Sequence, residues 1–528
     1  MIDVIELIIG LLIGAAVLAA VANRLNVPTA IVLVIGGAMF GLIPGLPPVH
    51  LDPELVFLFF LPPLLYPAAL YTSWRDFHAN IRPIALLAVG LVLFTTVVIA
   101  WLAHRVVGVP LAAGFVLGAI ISPPDAVAAT AITQRLRVPR RIVTVLEGES
   151  LVNDATALVT YRFAVAAVVM GTFSWADAGW RFLVAGAGGV AFGWIVGRVV
   201  GWIQQRLDDP AIKVTLSLLT PFMAYLPADR LGLSGVLAVV TAGVYLGWRS
   251  PEITNVSMRL QVRPVWATIV FLLNGFIFIL IGLQLPDILK ALSGYTAAQL
   301  AWYATLISLA VIAVRMLWVF PAAYLPRWLL TSLRERDPYP PWQHLTIVGW
   351  TGMRGVVSLA AAMALPFTMA DGSPFPGREL ILFLTITVIF VTLVIQGLSL
   401  PVLIRWLKVE DDGAAEAEEL AARLKANQAA LTRLNEIAGS RSIDADTLQR
   451  MRGEYQDRIR QLELAESADG QAARRLFSPD YEHLSRETLR VERDVILQLR
   501  NERVINDEVL RSIQRDIDLA EARLKRHH

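Results

Sequence analysis

Two short stretches set carboxylates inside otherwise apolar sequence. In Gly118-Ala-Ile-Ile-Ser-Pro-Pro-Asp-Ala-Val-Ala-Ala-Thr130, Asp125 follows Pro123 and Pro124 directly. Two consecutive prolines remove two backbone donors, which predicts a break in the helix here. The carbonyls freed there must be met by protein, water or an ion, and Asp125 stands at the start of the next half-helix, where the helix dipole favours an anion. A kink with a capping aspartate would account for this segment taken alone. The second stretch, Leu146-Glu-Gly-Glu-Ser-Leu-Val-Asn-Asp-Ala-Thr-Ala-Leu158, is harder to explain that way. On a helix Ser150 and Asp154 share a face, as do Glu149 and Asn153. Glu149 and Asp154 are about 140° apart around the axis and address different neighbours. A polar seam between helices does not need so many carboxylates.

These groups are oxygen donors, and no Cys or His cluster stands with them, so they suit a hard monovalent cation and not a transition metal. A carboxylate stripped of water holds a proton more firmly, and a bound proton replaces a bound cation. Competition of that kind is an exchange mechanism.

The surroundings decide what positions these residues. Hydrophobic residues make up 56% of the chain and charged residues 17%, against about a quarter in soluble domains. Mean hydropathy is +0.58. Residues 1–409 and 410–528 each hold 45 charged side chains, so the first part is about 11% charged and the second about 38%. A domain boundary is therefore expected near Lys408, giving 1–408 as a membrane transport domain and 409–528 as a helical tail. The net charge of +2 averages a slightly basic part and a slightly acidic one and indicates no partner. There is no cysteine, which excludes disulfides and thiolate chemistry. The N-terminus lacks the basic region and cleavage site of a signal peptide and reads as a retained first span.

A membrane helix takes about 20 apolar residues. Thirteen stretches qualify: 3–22, 28–46, 54–71, 81–104, 110–133, 141–170, 179–203, 211–227, 230–248, 264–285, 298–325, 344–367 and 379–407. With the spans alternating, 17 Lys and Arg fall on one face and 5 on the other. Basic residues accumulate on the cytoplasmic side, which puts the C-terminus in the cytoplasm and the N-terminus outside. The acids inside spans are Glu6, Asp125, Glu147, Glu149 and Asp154, and the basic residues are Arg162, Arg198, Arg315 and Arg354. Arg198 reaches the end of its helix, and Glu6 sits near an edge. A charge near the bilayer centre costs at least about 2.5–3.5 kcal/mol, so the remaining acids are functional candidates.

At these residues the chain resembles the sodium/proton antiporters of the cation:proton antiporter superfamily, in the branch marked by an Asn-Asp pair. It looks most like the bacterial members, which are related to the animal sodium/proton exchangers. The resemblance rests on Ser122-Pro-Pro-Asp125, Gly148-Glu-Ser-Leu-Val-Asn-Asp154, the arginine in Val314-Arg-Met-Leu317, and Gly349-Trp-Thr-Gly-Met-Arg-Gly355, in family order. It covers residues 1–408. It implies an all-α polytopic fold with inverted repeats, a dimerisation subdomain and a mobile core, assembled as a homodimer in the plasma membrane. Two broken helices would cross in the core, at Ser122–Pro124 and Gly349–Gly355. By the same resemblance Asp154 is the principal carrier, and Asp125 and Ser150 help surround a sodium ion. Asn153 orients the site and marks electroneutral one-for-one exchange, with pH regulation as the physiological role. Glu149 pairs structurally with Arg315, and Pro123, Pro124, Gly352 and Arg354 support the broken helices. For Arg354 the reading is that it caps its own broken helix. No cofactor is implied beyond the transported Na⁺ and H⁺, with Li⁺ and K⁺ as alternative cations. One departure stands out: many relatives carry an acid shortly after the Pro-Pro of the third span, where this chain has Pro67.

Apolar residues recur at helical spacing in Leu420–Ile437, Leu448–Leu464 and Leu484–Leu524, which predicts a soluble helical tail, with Asn506-Asp507 capping its last helix. Its expected role is regulatory or dimer-stabilising. No nucleotide-binding loop, nucleic-acid stripe or catalytic triad is present. A cation channel would need a continuous polar pore, and an aspartyl enzyme would need Asp125 and Asp154 to share a proton. The polar residues clustered at one depth favour a cation cage over both.

Overall fold

A computed structural model of the chain describes residues 2–25, 29–42, 53–170, 175–369, 371–411, 413–440, 444–467, 479–502 and isolated positions between 510 and 521. Among the described residues every regular element is a helix, and one isolated β-bridge joins Thr368 to Pro374. The chain divides into two compact units, Met1–Asp411 and Asp412–His528.

The first unit begins with α1 (Ile2–Leu25), α2 (Thr29–Gly41), α3 (Pro53–Tyr71) and the short α4 (Trp74–Ala79). A long helix, α5 (Ile81–Val107), contains two π-helical turns, Leu86–Leu91 and Ala103–Val107. Widened turns leave carbonyls poorly paired, and Trp318 donates its indole N–H to the Leu86 carbonyl at 3.1 Å. Next come α6 (Leu111–Ile121), α7 (Ala126–Arg135) and α8 (Arg140–Met170). They are followed by α9 (Trp175–Arg206), α10 (Pro210–Arg230), α11 (Gly235–Ile253) and α12 (Val256–Ala291). The unit closes with α13 (Ala297–Leu329), α14 (Thr331–Arg336), α15 (Trp342–Trp350), α16 (Val356–Met363) and α17 (Arg378–Trp406).

Many starts are written locally. Asp209, Ser234 and Asn255 each accept a backbone N–H at the head of α10, α11 and α12, and Thr296 with Gln299 forms a capping box at α13. Each such cap is worth about 1 kcal/mol. Among the described residues most of the apolar stretches fall on one helix, 110–133 and 344–367 fall on two half-helices, and part of 28–46 lies outside the described residues. Seven helices among the described residues are long and apolar enough to cross a membrane. The solvent preference is inverted relative to a soluble protein. Leu317 and Trp328 on α13 are 72% and 74% exposed, whereas Arg315 of the same helix is 1% exposed. On this helix apolar side chains face outward and the arginine inward, as lipid demands.

Several helix pairs approach until backbone meets backbone. A Cβ on Gly37 of α2 would strike the Ile279 carbonyl of α12, and one on Gly282 of α12 would strike the Val34 carbonyl of α2. Gly118 of α6 fits in the same way against Thr96 of α5, Gly193 of α9 against Ala238 of α11, and Gly247 of α11 against Leu70 of α3. Small residues permit this closeness, and dispersion across it holds apolar helices together where no hydrophobic effect operates.

In the second unit α18 (Ala414–Ser440) packs on α19 (Ala445–Ser467), and Arg452 donates to the Asn435 amide oxygen at 2.8 Å. The helix α20 (Pro479–Asn501) contributes Leu489 and Ile496 to a small core with Leu510, Ile513 and Ile517. The expected Asn506-Asp507 cap lies outside the described residues.

Candidate functional site

The two half-helix pairs meet at their breaks. Residues 122–125 separate α6 from α7, and 351–355 separate α15 from α16. The second break is narrower than the expected Gly349–Gly355. Gly349 and Trp350 stay helical because the Thr351 amide donates to Ile347 at 2.9 Å and its hydroxyl donates to Val348 at 3.0 Å, closing the last turn.

Interrupting a helix leaves polar backbone that must be paired when buried. Here several of these groups find specific partners. The Asp125 amide donates to the Met353 carbonyl at 2.7 Å, tying one break to the other. Asn153 of α8 donates its side-chain amide to the Pro124 carbonyl at 2.9 Å. Arg354 donates through Nε to the Ile121 carbonyl at 2.9 Å and through Nη2 to the Ser122 carbonyl at 3.5 Å, and it also bonds the Gly352 carbonyl. The Arg354 amide is itself held by the Thr392 hydroxyl of α17 at 3.1 Å. Arg354 was expected to cap its own broken helix; two of its three carbonyl partners lie at the end of α6. The reason is geometric, since the last carbonyls of α6 point at the opposite break and prolines cannot answer them.

Glu149 and Arg315 form a buried bidentate pair, at 2.5 and 2.8 Å, each 1% exposed. Arg315 also donates to the Val348 carbonyl from Nη2 at 2.9 Å and from Nε at 3.2 Å. Every group in the pair is therefore hydrogen-bonded, the condition under which a buried ion pair is tolerated. Asn153 stands one turn further along α8, on the face it shares with Glu149. It turns to the proline break, with Ser150, whose hydroxyl accepts the Ala126 amide at 3.4 Å.

Asp125, Ser150 and Asp154 line one cavity of about 390 Å³. Asp154 is 7% exposed, and Asp125 is half-buried at the head of α7. Pro123 and Gly355 bound the cavity on the side of the breaks, and Pro67 lines it from α3, which brings no carboxylate there. Glu147 of α8, one of the acids noted inside spans, also lines it, as do two residues that had not been singled out, Asn274 of α12 and Ser358 of α16. The Ser358 hydroxyl is buried without a hydrogen-bond partner among the described residues. Carboxylate, hydroxyl and amide oxygens lining one cavity are a donor set for a small hard cation. Two carboxylates give the same space an appetite for protons.

A family model described as sodium/hydrogen exchanger, transmembrane, matches residues 9–406. The chain belongs to the sodium/hydrogen exchanger family. An uncharacterised Na⁺/H⁺ exchanger of Mycobacterium tuberculosis is 37% identical over 98% of this chain and 97% of its own length. An uncharacterised Na⁺/H⁺ exchanger of Escherichia coli is 33% identical over 90% of each chain. A sodium, potassium, lithium and rubidium/H⁺ antiporter of Bacillus pumilus is 36% identical over 75% of this chain and 61% of its own. The fold is that of the sodium proton antiporter of Methanocaldococcus jannaschii, matched with a TM-score of 0.61 at 18% identity over 76% of this chain and 98% of that one. The chain is thus a cation/proton antiporter and not an enzyme.

Proposed function

We propose that this exchanger moves Na⁺ against H⁺ one for one, by making cation and proton compete for Asp154. The observation that carries the reading is the single cavity lined by Asp154, Asp125 and Ser150 at the break between α6 and α7. Asp154 is the carrier, Asp125 and Ser150 complete the cage, and Asn153 keeps the Pro124 carbonyl in place. Exposure of the site to the two sides in turn converts competition into exchange. The architecture that goes with this has thirteen spans in inverted repeats, a homodimer in the plasma membrane, the N-terminus outside and the tail in the cytoplasm as a regulatory element. The name of the Bacillus relative favours a second reading, in which K⁺ is carried as well.

The test is transport in sealed vesicles with Na⁺, Li⁺ and K⁺ in turn, with membrane potential monitored. While the proton still holds the site, the unprotonated fraction rises tenfold per pH unit, so the apparent cation affinity should rise by up to about tenfold per unit, then level off. Asp154→Asn should fold and fail to exchange. A cation Km unchanged between about pH 6 and 8, or robust exchange by that variant, removes Asp154 from the mechanism.

A further inference from the structure

A second polar cluster lies away from the cavity, at the ends of four helices. Asp337, in the link between α14 and α15, takes Arg82 at 3.2 Å, Arg141 at 2.8 Å and Arg327 at 2.6 Å. Arg327 donates again to the Asp337 carbonyl at 3.0 Å, and Arg141 donates to the Asn80 side chain at 3.2 Å. Three guanidinium groups thus surround one carboxylate. Two donors of Arg82, Nε and Nη1, are buried with no hydrogen-bond partner among the described residues. A buried charged donor left without an acceptor is destabilising, and it demands an explanation. Beside these groups is a cleft of about 80 Å³ whose lining is mostly apolar, Val145 and Val348 included, and to which Arg82, Arg141, Arg327 and His344 also contribute.

We infer that this arginine cleft binds a phosphate group. The excess positive charge excludes a metal cation. The need left by Asp337 is for a compact anion with several oxygens, and guanidinium forks grip phosphate two bonds at a time. The chain on either side of the cleft is apolar and outward-facing, with Trp328 and Leu329 next to Arg327 and Trp342 just before His344, all exposed. Aromatic residues of this kind sit at headgroup level, and basic pockets between membrane helices take lipid phosphates. A phosphomonoester on a lipid and free phosphate in solution offer the same chemistry. Arg82 opens α5, Arg141 opens α8, which carries Asp154, and Arg327 ends α13, which carries Arg315. The Val348 carbonyl beneath the cleft is the one that Arg315 holds. Phosphate in the cleft ties together the elements around the exchange site and raises their stability. Any effect on exchange rests on the proposed role of Asp154, whereas binding does not.

The full-length protein is heated in detergent with inorganic phosphate or with chloride at equal ionic strength. It is then heated in nanodiscs of phosphatidylcholine with and without phosphatidic acid. The unfolding midpoint should rise by about 2 °C or more with one of the two probes. A rise with inorganic phosphate identifies a soluble ligand, and a rise with phosphatidic acid alone identifies a lipid headgroup. Arg82→Gln should weaken the response about tenfold or more in ligand concentration, the loss of one charge-assisted bond. Asp337→Asn removes the competing anion, so it should unfold at lower temperature without ligand and respond at lower phosphate concentration than the wild type. Midpoints of wild type and Asp337→Asn that neither probe moves overturn the inference, as does a response fully kept by Arg82→Gln. If Arg82→Gln fails to fold, the Asp337→Asn comparison decides alone.

Discussion

The backbone amide of Asp125 donates to the carbonyl of Met353 at 2.7 Å, although 228 positions separate them in the chain. This bond fixes where Asp125 stands, because it joins the start of one half-helix to the unwound part of the other. Gly355 completes the fit. A Cβ added there would fall on the Asp125 side chain itself. Its backbone is ordinary extended chain, so the demand for glycine is one of space alone.

Gly355→Ala should therefore push Asp125 out of place. Overpacking of a tight site costs about 1–3 kcal/mol. Part of that should appear as a cation Km raised about tenfold, with a smaller loss of thermal stability. Equal losses of stability and affinity in Gly355→Ala and in a remote control such as Gly10→Ala, where a Cβ meets nothing, would sink the argument.

Glu149 and Arg315 should behave as a unit. Removing one partner strands the other charge in the interior, at about 3–5 kcal/mol, whereas removing both costs much less. Glu149→Gln and Arg315→Leu should each reduce folded yield, and the double variant should recover part of it. Strictly additive losses in the double-mutant cycle would show that the pair is not coupled.

Asn153 supplies a donor to the Pro124 carbonyl, which an ionised carboxylate cannot do. Asn153→Asp turns a hydrogen bond into two facing acceptors, a penalty of about 1–3 kcal/mol or more for a buried group. A protonated carboxyl can still donate, so the variant should lose more stability in alkaline than in mildly acidic buffer. An equal loss in both would mean the Pro124 bond is not what the variant disturbs.

Asp337 gives a pH prediction of its own. Burial works to raise its pKa, but the Arg141 hydrogen bond and the charges of Arg141, Arg327 and Arg82 outweigh it and hold the carboxyl below the usual range. A carboxylate with a depressed folded pKa stabilises the protein above its unfolded value, near about 4, and that contribution fades as pH falls through the folded value. The stability difference between wild type and Asp337→Asn should accordingly be constant at neutral pH and shrink only in acid. A difference that shrinks between neutral and alkaline pH would assign it to another group.

The parts of this architecture that follow from short-range rules could be read directly. Pro123 and Pro124 signal a break because proline acts on its own neighbours, although α3 runs on through Pro62 and Pro63. The limits of the second break could not be read that way. Gly349 stays in the helix, and its lack of a side chain serves close contact with Met316 of α13 instead. Arg354 was assigned to its own helix because nothing local indicates that Ile121 and Ser122 lie within its reach. Asn274, Ser358 and Thr392 are single polar residues in apolar runs, without a period to flag them, and only packing reveals what they touch. The Asp337 cluster was equally hidden, since its arginines come from α5, α8 and α13.

The glycine contacts described above have a mechanical consequence. Where a carbonyl rests in the notch left by a missing side chain, as between α2 and α12 or between α5 and α6, neither helix can slide without collision. Such pairs behave as laminated blocks. Across the cavity the neighbours are of another kind: Pro67, Trp266 and Asn274 face Asp125, Asp154 and Ser358 as side chains around open space. Side chains can change rotamer and exchange partners, whereas a backbone notch cannot. Under the proposed exchange mechanism, a stroke that carries the carboxylates from one side toward the other would have its shear plane along the cavity, with the laminated pairs moving, or standing still, as whole pieces.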